Sequence, residues 1–304
     1  MNVGVVIVTY NRLEKLKKCL SAYEEQIFQP SVVLVVNNAS TDGTKEYLDC
    51  WLGTNPVSGI QRKVIHCQAN LGGAGGFSLG IKQMLAIKTD WIWLADDDAY
   101  PERDCLQVLS SYYNELSQQD QHNVSCLCAK VIGPDGNVSH LHRRTIKKSF
   151  FQIKEMVVNN SGFLYPATPI DLFSFVGVAI KNNAIKQVGL PHSDYFIYFD
   201  DSEYALRLKG QGKILCIPSA KVMHDSPENK IKKYSWKNYY MFRNKLYTYS
   251  LYFPRRYMFI ETCKTIYMII RYYNCPASWK QFAKAIRDIH AKHLGVDERY
   301  LPGK

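Results

Sequence analysis

The sequence of 304 residues lacks several features that define common classes of protein. It has no uninterrupted apolar run of about 18 residues, so we expect no membrane-spanning helix. Its nine cysteines form no CxxC pair and no other metal-ligand spacing, which predicts reduced thiols in a cytosolic protein. The opening VGVVIVTY is too short for the apolar part of a signal peptide and predicts a buried strand instead.

The two common phosphate-binding glycine motifs are also missing. The glycine-rich element NLGGAGGF has no Gly-Lys-Ser/Thr after it, and Ser78 stands where GxGxxG requires its last glycine. The element lies between a predicted strand and a predicted helix, where the backbone amides of a glycine loop can approach a phosphate closely. Because glycines are common in loops, it is a weak signal by itself.

An acidic cluster, Asp96-Asp97-Asp98, directly follows the apolar run WIWLA. Side chains alternate along an extended strand, so Asp96 and Asp98 can converge on one ion. Crowded carboxylates cost free energy unless a cation or a donor offsets their charge. The pattern predicts a site at the end of a strand, and the alternative is a solvated acidic turn before Pro101.

A second acidic cluster, Asp200-Asp201-Ser202-Glu203, follows another apolar and aromatic stretch and opens a predicted helix. Capping of the helix accounts for one of these acids. Three acids exceed what a cap needs, so we favour a general base poised in a cleft. His224 closes a further predicted strand. A lone histidine is more often structural, and only its coincidence with the two acidic clusters indicates a metal ligand.

The order of predicted elements indicates an α/β fold. Near-continuous apolar strands alternate with helices over the first 100 residues, which predicts a mostly parallel, Rossmann-like sheet flanked by helices. Residues 143–165 are irregular and are interpreted as an excursion from the sheet that carries binding specificity. We expect a catalytic domain over residues 1–228 and a basic, aromatic-rich helical region over residues 229–304.

The net charge of +11 is concentrated in the C-terminal quarter. Residues 230–304 contain 16 Lys and Arg against 4 Asp and Glu, while the preceding residues contain 22 against 23. Basic residues mixed with many tyrosines suit an anionic membrane surface. A helical subdomain with a solvated basic face and a nucleic-acid surface are the alternatives, in that order. Within this region the YYMFRN segment predicts an amphipathic helix. The alternative interpretation is that Arg243 lies near the pyrophosphate or the acceptor.

These motifs together resemble an inverting family-2 glycosyltransferase with a GT-A fold. VTYNR, VNNASTDGT, NLGGAGGF, WLADDDAYP, FDDSEYALR and YYMFRN occur in the order which that family uses, over at least residues 3–245. Each motif alone is weak evidence for the resemblance, but six motifs in the same order are strong evidence. The combination is most similar to the galactofuranosyltransferase branch, and the rhamnosyltransferases of bacterial surface polysaccharides share much of it.

The resemblance implies roles for individual residues. It implies a nucleotide-sugar site formed by Thr9, Tyr10, Asn11, Asn37, Asn70, Gly75, Gly76, Asp96 and Asp97. It implies a Mn²⁺ or Mg²⁺ site formed by Asp96, Asp98 and His224. Asp201 is then the general base, and Asp200 and Glu203 orient acceptor hydroxyls. Two positions depart from the family: Asn37 replaces an aspartate that often reads uracil, and Ser202 replaces a bulky aromatic residue.

The resemblance therefore implies transfer of galactofuranose from UDP-galactofuranose to a lipid-linked acceptor of a bacterial surface polysaccharide. It would act in the cytoplasm, peripherally on the inner face of the cell membrane. A rhamnosyltransferase that uses dTDP-rhamnose is the alternative within the family. A sugar nucleotidyltransferase is disfavoured because residues 72–98 offer only Lys82 and Lys88 as basic groups. A nucleic-acid-binding module is disfavoured because both acidic clusters would repel a polyanion.

Overall fold

A computed structural model describes residues 1–54, 59–150, 152–226 and 234–302. The strands are β1 (Val3–Thr9), β2 (Val32–Asn37), β3 (Gln61–His66), β4 (Trp91–Asp96), β5 (Ala99–Pro101), β6 (Val124–Ile132), β7 (Arg143–Lys148), β8 (Ile153–Val157), β9 (Thr168–Ile170), β10 (Leu172–Phe173), β11 (Val178–Lys181) and β12 (Lys213–His224). The α-helices are α1 (Leu13–Glu24), α2 (Thr44–Gly53), α3 (Gly72–Met84), α4 (Cys105–Glu115), α5 (Gln118–His122), α6 (Asn182–Val188), α7 (Asp200–Lys209), α8 (Lys237–Tyr252), α9 (Arg255–Met268) and α10 (Pro276–His290).

The main sheet has the strand order β3-β2-β1-β4-β11-β6-β12-β5, and β9 pairs with β12. β3, β2, β1 and β4 are parallel, as the alternation of strands and helices predicted. β11 runs antiparallel between β4 and β6, so the sheet is mixed but mostly parallel. A small antiparallel sheet, β10-β7-β8, stands beside it and contains much of the irregular excursion.

The central strands are buried on both faces, which explains their continuous apolar sequences. In β1, Val5 and Ile7 belong to one apolar core while Val6 and Val8 belong to the other. Side chains alternate across a strand, so a run of valine and isoleucine fills both cores at once. The parallel strands therefore end together at one edge of the sheet, which is where polar residues of an open α/β sheet form sites.

The C-terminal helices form a third core of their own around Tyr239, Phe242 and Phe282. It includes Phe196, which lies in the loop before α7, so this helical region packs directly against the loop that precedes the second acidic cluster. No helix in the described ranges is both long and apolar enough to cross a bilayer. The predicted boundary between residues 228 and 229 lies outside the described residues, and the division into two domains stays a prediction.

Three local features depart from a simple alternation of strands, loops and helices. The glycines of NLGGAGGF lie within α3 rather than in a loop. Since Gly76 and Gly80 have no Cβ, α3 can lie close against Val8 and Val6 of β1. The stretch Tyr195–Phe199 is a tight, irregular loop rather than a strand. The segments KILCIP and KVMH form one continuous strand, β12, with an irregular register between Ile217 and Lys221.

Candidate active site

The first acidic cluster lies at the edge where the parallel strands end. β4 pairs with β1 in a register that places Asp96 opposite Val8, beside Thr9. A cavity of about 410 Å³ opens here, and Thr9, Tyr10 and Asp96 contribute to its wall. The structure therefore brings together side chains that are some 87 positions apart in the sequence, at the end of the sheet where open α/β folds form sites.

Asp97 is buried and braces the neighbouring loop. One of its oxygens accepts a hydrogen bond from Thr9 Oγ1 at 2.7 Å, and the other accepts from Arg12 Nη1 at 3.2 Å. Burial raises the pKa of Asp97 to about 6, although the charge of Arg12 and the Thr9 hydroxyl oppose that shift. Asp97 thus fixes the end of β1 and the start of α1, and it contributes to the cavity wall.

Asp98 meets His224 because β5 pairs antiparallel with the end of β12. That register places His224 opposite Ala99, and the backbone N–H of Asp225 donates to the carbonyl of Asp98 at 2.8 Å. His224 Nε2 lies 3.3 Å from Asp98 Oδ1. Ligand atoms of Asp96, Asp98 and His224 all lie within 4.8 Å of one another.

Burial and neighbouring charges shift the pKa values of these three residues in opposing directions. Burial and the neighbouring charge of Asp98 raise the pKa of Asp96 to about 8, against the opposing charge of His224. Burial acts to raise the pKa of Asp98 too, but His224, Arg12 and Lys15 outweigh it and lower that pKa. Burial acts to lower the pKa of His224, but hydrogen bonding and charge from Asp98 raise it. A neighbouring cation thus favours the charged form of each carboxylate, and burial opposes it.

This group fits a divalent cation. Two carboxylates and one imidazole are ligands that Mn²⁺ accepts, and an oxygen-rich set also suits Mg²⁺. Arg12 and Lys15 both face Asp98 Oδ2, at 2.7 and 3.6 Å. Asp98 Oδ1 is buried and lies 3.3 Å from His224 Nε2, so this oxygen faces the other members of the trio.

The second acidic cluster follows a loop with unusual backbone geometry. Phe196, Tyr198 and Phe199 have φ angles of 65°, 66° and 66°, the left-handed region that residues other than glycine rarely adopt. Asn244 Nδ2 of α8 donates to the carbonyls of Tyr195, Ile197 and Tyr198, each at 2.9 Å. The loop therefore depends on α8 for its conformation.

Arg243 supports the same loop from one position earlier in α8. Its guanidinium donates to the carbonyls of Asp194 and Gly295 at 3.1 and 2.7 Å, and its Nε donates to Asn244 Oδ1 at 2.9 Å. Arg243 is 1% exposed, and its partners are backbone carbonyls, the amide of Asn244 and the hydroxyl of Tyr239. This matches the packing interpretation of the YYMFRN helix rather than contact with a pyrophosphate.

Asp200 and Asp201 begin α7 directly after this loop. Burial and the neighbouring charge of Asp201 raise the pKa of Asp200 to about 8. Burial also raises the pKa of Asp201, against the opposing charge of Arg144. Asp201 Oδ1 accepts a hydrogen bond from Ser202 Oγ at 3.0 Å, while no residue in the described ranges hydrogen-bonds its Oδ2. Asp201 thus has an oxygen available to accept a proton.

The comparisons with known proteins agree with this geometry. Residues 4–175 match the model of glycosyl transferase family 2. The chain belongs to glycosyl transferase family 2. The galactofuranosyltransferase GlfT1 of Mycolicibacterium smegmatis is 30% identical over 211 residues, which are 69% of this chain and 66% of that protein. The dTDP-rhamnosyl transferase RfbF of Shigella flexneri is 26% identical over 238 residues, 76% of this chain and 71% of that protein.

Solved structures confirm the GT-A fold of this family-2 glycosyltransferase. The crystal structure of GalNAc-T7 with UDP, GalNAc and Mn²⁺ superposes with a TM-score of 0.65 at 13% identity, over 96% of this chain and 56% of that one. Together with the relatives above, this places the chain among family-2 enzymes related to the galactofuranosyl and rhamnosyl branch.

Several residues that the resemblance assigned to the family-2 donor site lie elsewhere. Asn37 is 2% exposed, and its amide already contacts His66 Nδ1 at 3.1 Å and Ser40 N at 3.0 Å, so it has no free edge for a base. Asn11 Oδ1 accepts from Thr41 N at 2.7 Å and joins two loops. Asn70 does line the cavity, and its Oδ1 accepts from Gly72 N at 2.8 Å.

Gly75 and Gly76 have a packing role rather than a place in the cavity wall. A Cβ on Gly76 would lie 2.6 Å from Val8 Cγ1, and one on Gly75 would lie 2.7 Å from Leu71 Cβ. The glycines of α3 that line the cavity are Gly72 and Gly73. Gly72 has a φ of 69°, and a Cβ there would lie 2.1 Å from the carbonyl oxygen of Phe196.

Glu203 is also placed differently from its predicted role in orienting the acceptor. Its side chain is fully buried, and Arg207 binds both of its oxygens, at 2.7 and 2.8 Å. The hydroxyl of Tyr252 donates to the same carboxylate and joins α8 to α7. With its lone pairs engaged and no exposed surface, Glu203 stabilises the fold around the cleft and does not fit contact with an acceptor.

Three contributors to this site were missed in the sequence. Asn38 lines the donor cavity, donates to the carbonyl of Gly72 at 2.9 Å, and its Oδ1 is without a hydrogen-bond partner in the described ranges. Arg12 neutralises the carboxylates of the first cluster. His142 packs edge-on against His224, with ring centroids 4.9 Å apart, and so limits the orientation of that ring. Asn38, next to Asn37 at the end of β2, and Arg12, next to Asn11 after β1, carried a positional signal, whereas His142 carried none.

Proposed function

We propose that this family-2 enzyme transfers galactofuranose from UDP-galactofuranose, with inversion, to a hydroxyl of a lipid-linked bacterial surface glycan. The observation that carries this function is the arrangement of two acidic groups around one loop. Asp96, Asp98 and His224 form a cation site at the donor cavity, and Asp201 follows the loop whose Phe196 and Ile197 line that cavity. The 30% identity to a galactofuranosyltransferase supports the choice of sugar.

In this proposal the donor cavity holds the nucleotide and its diphosphate. Thr9, Tyr10, Asn38 and Asn70 offer hydroxyl and amide groups, and Gly72 lets the backbone approach the ligand. Trp236 contributes an aromatic face to the same cavity, which suits stacking on a nucleobase. Asn37 lies behind this surface, so the donor base is recognised by other groups.

Asp96, Asp98 and His224 would hold the divalent cation, Mn²⁺ or Mg²⁺. When bound, such a cation neutralises the negative charge that develops on a departing diphosphate. Arg12 supplies a further positive charge at the same edge, because its guanidinium lies between Asp97 and Asp98 and is half exposed. The protein thus fixes the charged end of the donor before the sugar is transferred.

Asp201 would remove the proton of the attacking hydroxyl. A carboxylate across the sugar from the diphosphate is the group that an inverting displacement requires, and such a base contributes about 10²- to 10⁴-fold to the rate. The hydroxyl of Ser202 donates a hydrogen bond to one oxygen of Asp201, and burial keeps the pKa of Asp201 above the usual range of an aspartate. Burial and the charge of Asp201 raise the pKa of Asp200 to about 8, which favours its protonated form, and in that form Asp200 would donate a hydrogen bond near the acceptor.

The enzyme would attach peripherally to an anionic membrane on the cytoplasmic face. Phe259, Tyr267, Ile270 and Tyr272 of α9 and the following turn are 54–70% exposed. Arg255, Arg256 and Arg271 are exposed on the same segment. Amphipathic aromatic rings together with arginines suit the interface of an anionic bilayer, and scattered surface residues alone do not explain such a cluster.

Flotation with liposomes that contain phosphatidylglycerol tests the attachment. We expect binding at low salt, weaker binding at moderate salt, and loss of binding for Phe259→Ser combined with Tyr272→Ser. Leu164→Ser is the control, because Leu164 is 83% exposed and lies in a different part of the chain. No binding of the wild type at either salt concentration would show that the aromatic segment has another role.

The donor is tested by release of nucleoside diphosphate from a panel of UDP- and dTDP-sugars with Mn²⁺ and a lipid-linked acceptor. We expect turnover of UDP-galactofuranose. Turnover of dTDP-rhamnose instead would support the second candidate, which the 26% identity to RfbF favours. No turnover of any nucleotide sugar under these conditions would refute the proposed activity.

A further inference from the structure

A second cavity of about 500 Å³ lies on the far side of the loop that leads to Asp200. It is enclosed by the hairpin of β7 and β8 on one side and by α8 and α9 on the other. Phe196 and Ile197 of the loop line the donor cavity, whereas Phe199 lines this one. The loop is therefore a wall shared by two cavities, and the proposed base follows directly after it.

The second cavity is joined to Asp201 through a chain of contacts. Arg144 of β7 lines the cavity, and its Nη2 donates to Ser202 Oγ at 2.8 Å. That hydroxyl in turn donates to Asp201 Oδ1 at 3.0 Å. A molecule held in this cavity would therefore lie within a few residues of Asp201, on the side opposite the donor.

The cavity wall carries a surplus of positive charge. Four basic side chains line it, and these are Arg144, Lys154, Lys245 and Lys264. Among the described residues, two acidic side chains line it, Glu155 and Glu261. Arg144 pairs with Glu155, and Lys245 pairs with the buried Glu261. Lys264 lies 3.6 Å from the same Glu261, and Lys154 forms no ion pair within the described ranges.

Most of the rest of the wall is apolar. Met241 of α8, Met268 of α9 and the rings of Phe199 and Tyr249 line it beside the lysines. Methionine side chains adapt to ligands of irregular shape. A wall that is basic at one place and apolar at another suits an amphipathic anion better than a neutral oligosaccharide.

We propose, building on the function proposed above, that this cavity binds the acceptor and holds the phosphate through which the acceptor glycan is attached to its apolar carrier. Lys154 and Lys264 would bind the phosphate oxygens, because each is a cation without a full carboxylate partner. Met241 and Met268 would contact the first part of the carrier chain. The glycan would then extend past Arg144 toward Asp201.

Binding of farnesyl phosphate tests this site without reference to catalysis. The wild type and Lys154→Gln/Lys264→Gln are titrated by calorimetry with farnesyl phosphate, with farnesol and with inorganic phosphate, in EDTA so that no metal bridges the ligand to the donor site. We expect the double variant to bind farnesyl phosphate about tenfold more weakly, from roughly 0.7 kcal/mol per lysine. Farnesol should bind weakly and equally to both proteins, and inorganic phosphate should bind more weakly than farnesyl phosphate.

The matched control is Lys17→Gln/Lys45→Gln, which removes two exposed lysines from α1 and α2. An equal loss in that variant would show that net charge alone attracts the ligand and would overturn the site. Unchanged binding in Lys154→Gln/Lys264→Gln would overturn it as well. If the wild type still released UDP from UDP-galactofuranose in that case, the proposed function would stand and only the acceptor site would fall. If the double variant lost farnesyl phosphate binding but the wild type turned over no nucleotide sugar, the binding site would stand and the proposed function would fall.

Discussion

The amide of Asn244 offers the sharpest test of how this fold holds its site. Its Nδ2 is the only group in the described ranges that hydrogen-bonds the carbonyls of Ile197 and Tyr198, whereas the carbonyl of Tyr195 also accepts from Arg243. Asn244→Asp keeps the shape of the side chain but replaces the donor with an acceptor. It therefore isolates the hydrogen bonds from the packing.

The magnitude follows from the two carbonyls that lose their partner. These two hydrogen bonds are part-buried, and each contributes about 0.5–1.5 kcal/mol net, so the free energy of unfolding should fall by about 1–3 kcal/mol, a sizeable part of the 5–15 kcal/mol typical of a folded domain. Three residues of the loop have positive φ, each at a cost of about 1–2 kcal/mol, so the loop should relax once its anchors are lost. A shift of about 1 Å in Asp201 can lower the rate about 10²-fold.

Two measurements check this expectation. Urea unfolding gives the stability, and acceptor-dependent release of nucleoside diphosphate gives the turnover. Asn244→Ala and Asn244→Asp should lose both, with Asn244→Asp at least as impaired. Ser250→Ala, an exposed position on the same helix, should match the wild type. Wild-type turnover in Asn244→Asp would show that the hydrogen bonds to the loop do not position the site.

Three further outcomes are expected. Asp200→Asn should become more stable relative to the wild type as pH rises from about 4 to about 8. The folded carboxyl of Asp200 has a pKa of about 8, whereas the unfolded one ionises near 4. A constant difference in the free energy of urea unfolding between the two proteins over that range would contradict the burial of this group. Gly72→Ala should weaken UDP binding and lower stability, whereas Gly73→Ala, with nothing within 4 Å of its new Cβ, should not. His224→Ala should lower the Mn²⁺ affinity of the UDP complex at least tenfold by electron paramagnetic resonance, and an unchanged affinity would remove His224 from the metal site.

Much of the fold followed from the pattern of apolar residues. The strands of the N-terminal half are continuous valine and isoleucine runs because both of their faces are buried, so their parallel arrangement was readable. Asp96 and Asp98 were expected to form a site because they follow such a strand, and the family resemblance added the groups after β1 to it. The exact partner of Asp98 was less readable, since His224 reaches it through the short β5–β12 pairing.

The sequence did not reveal which neighbour forms a hydrogen bond or a close contact with each residue of the site. Asn37 lies at a strand end as expected, yet His66 and Ser40 already engage its amide. The glycines of α3 looked like a phosphate loop because close packing of a helix on a strand requires the same residue type. Glu203 had a readable signal, because Arg207 follows at the spacing of one helical turn and forms its ion pair.

The central claim is that one loop separates a cation-binding donor end from a proton-accepting acceptor end. Asp201→Asn tests it most directly, measured as acceptor-dependent transfer and as Mn²⁺-dependent binding of UDP on the same protein. We expect transfer to fall about 10²- to 10⁴-fold while UDP binding stays at the wild-type affinity. Full transfer in Asp201→Asn, or loss of UDP binding to the same extent as transfer, would contradict the separation of the two ends.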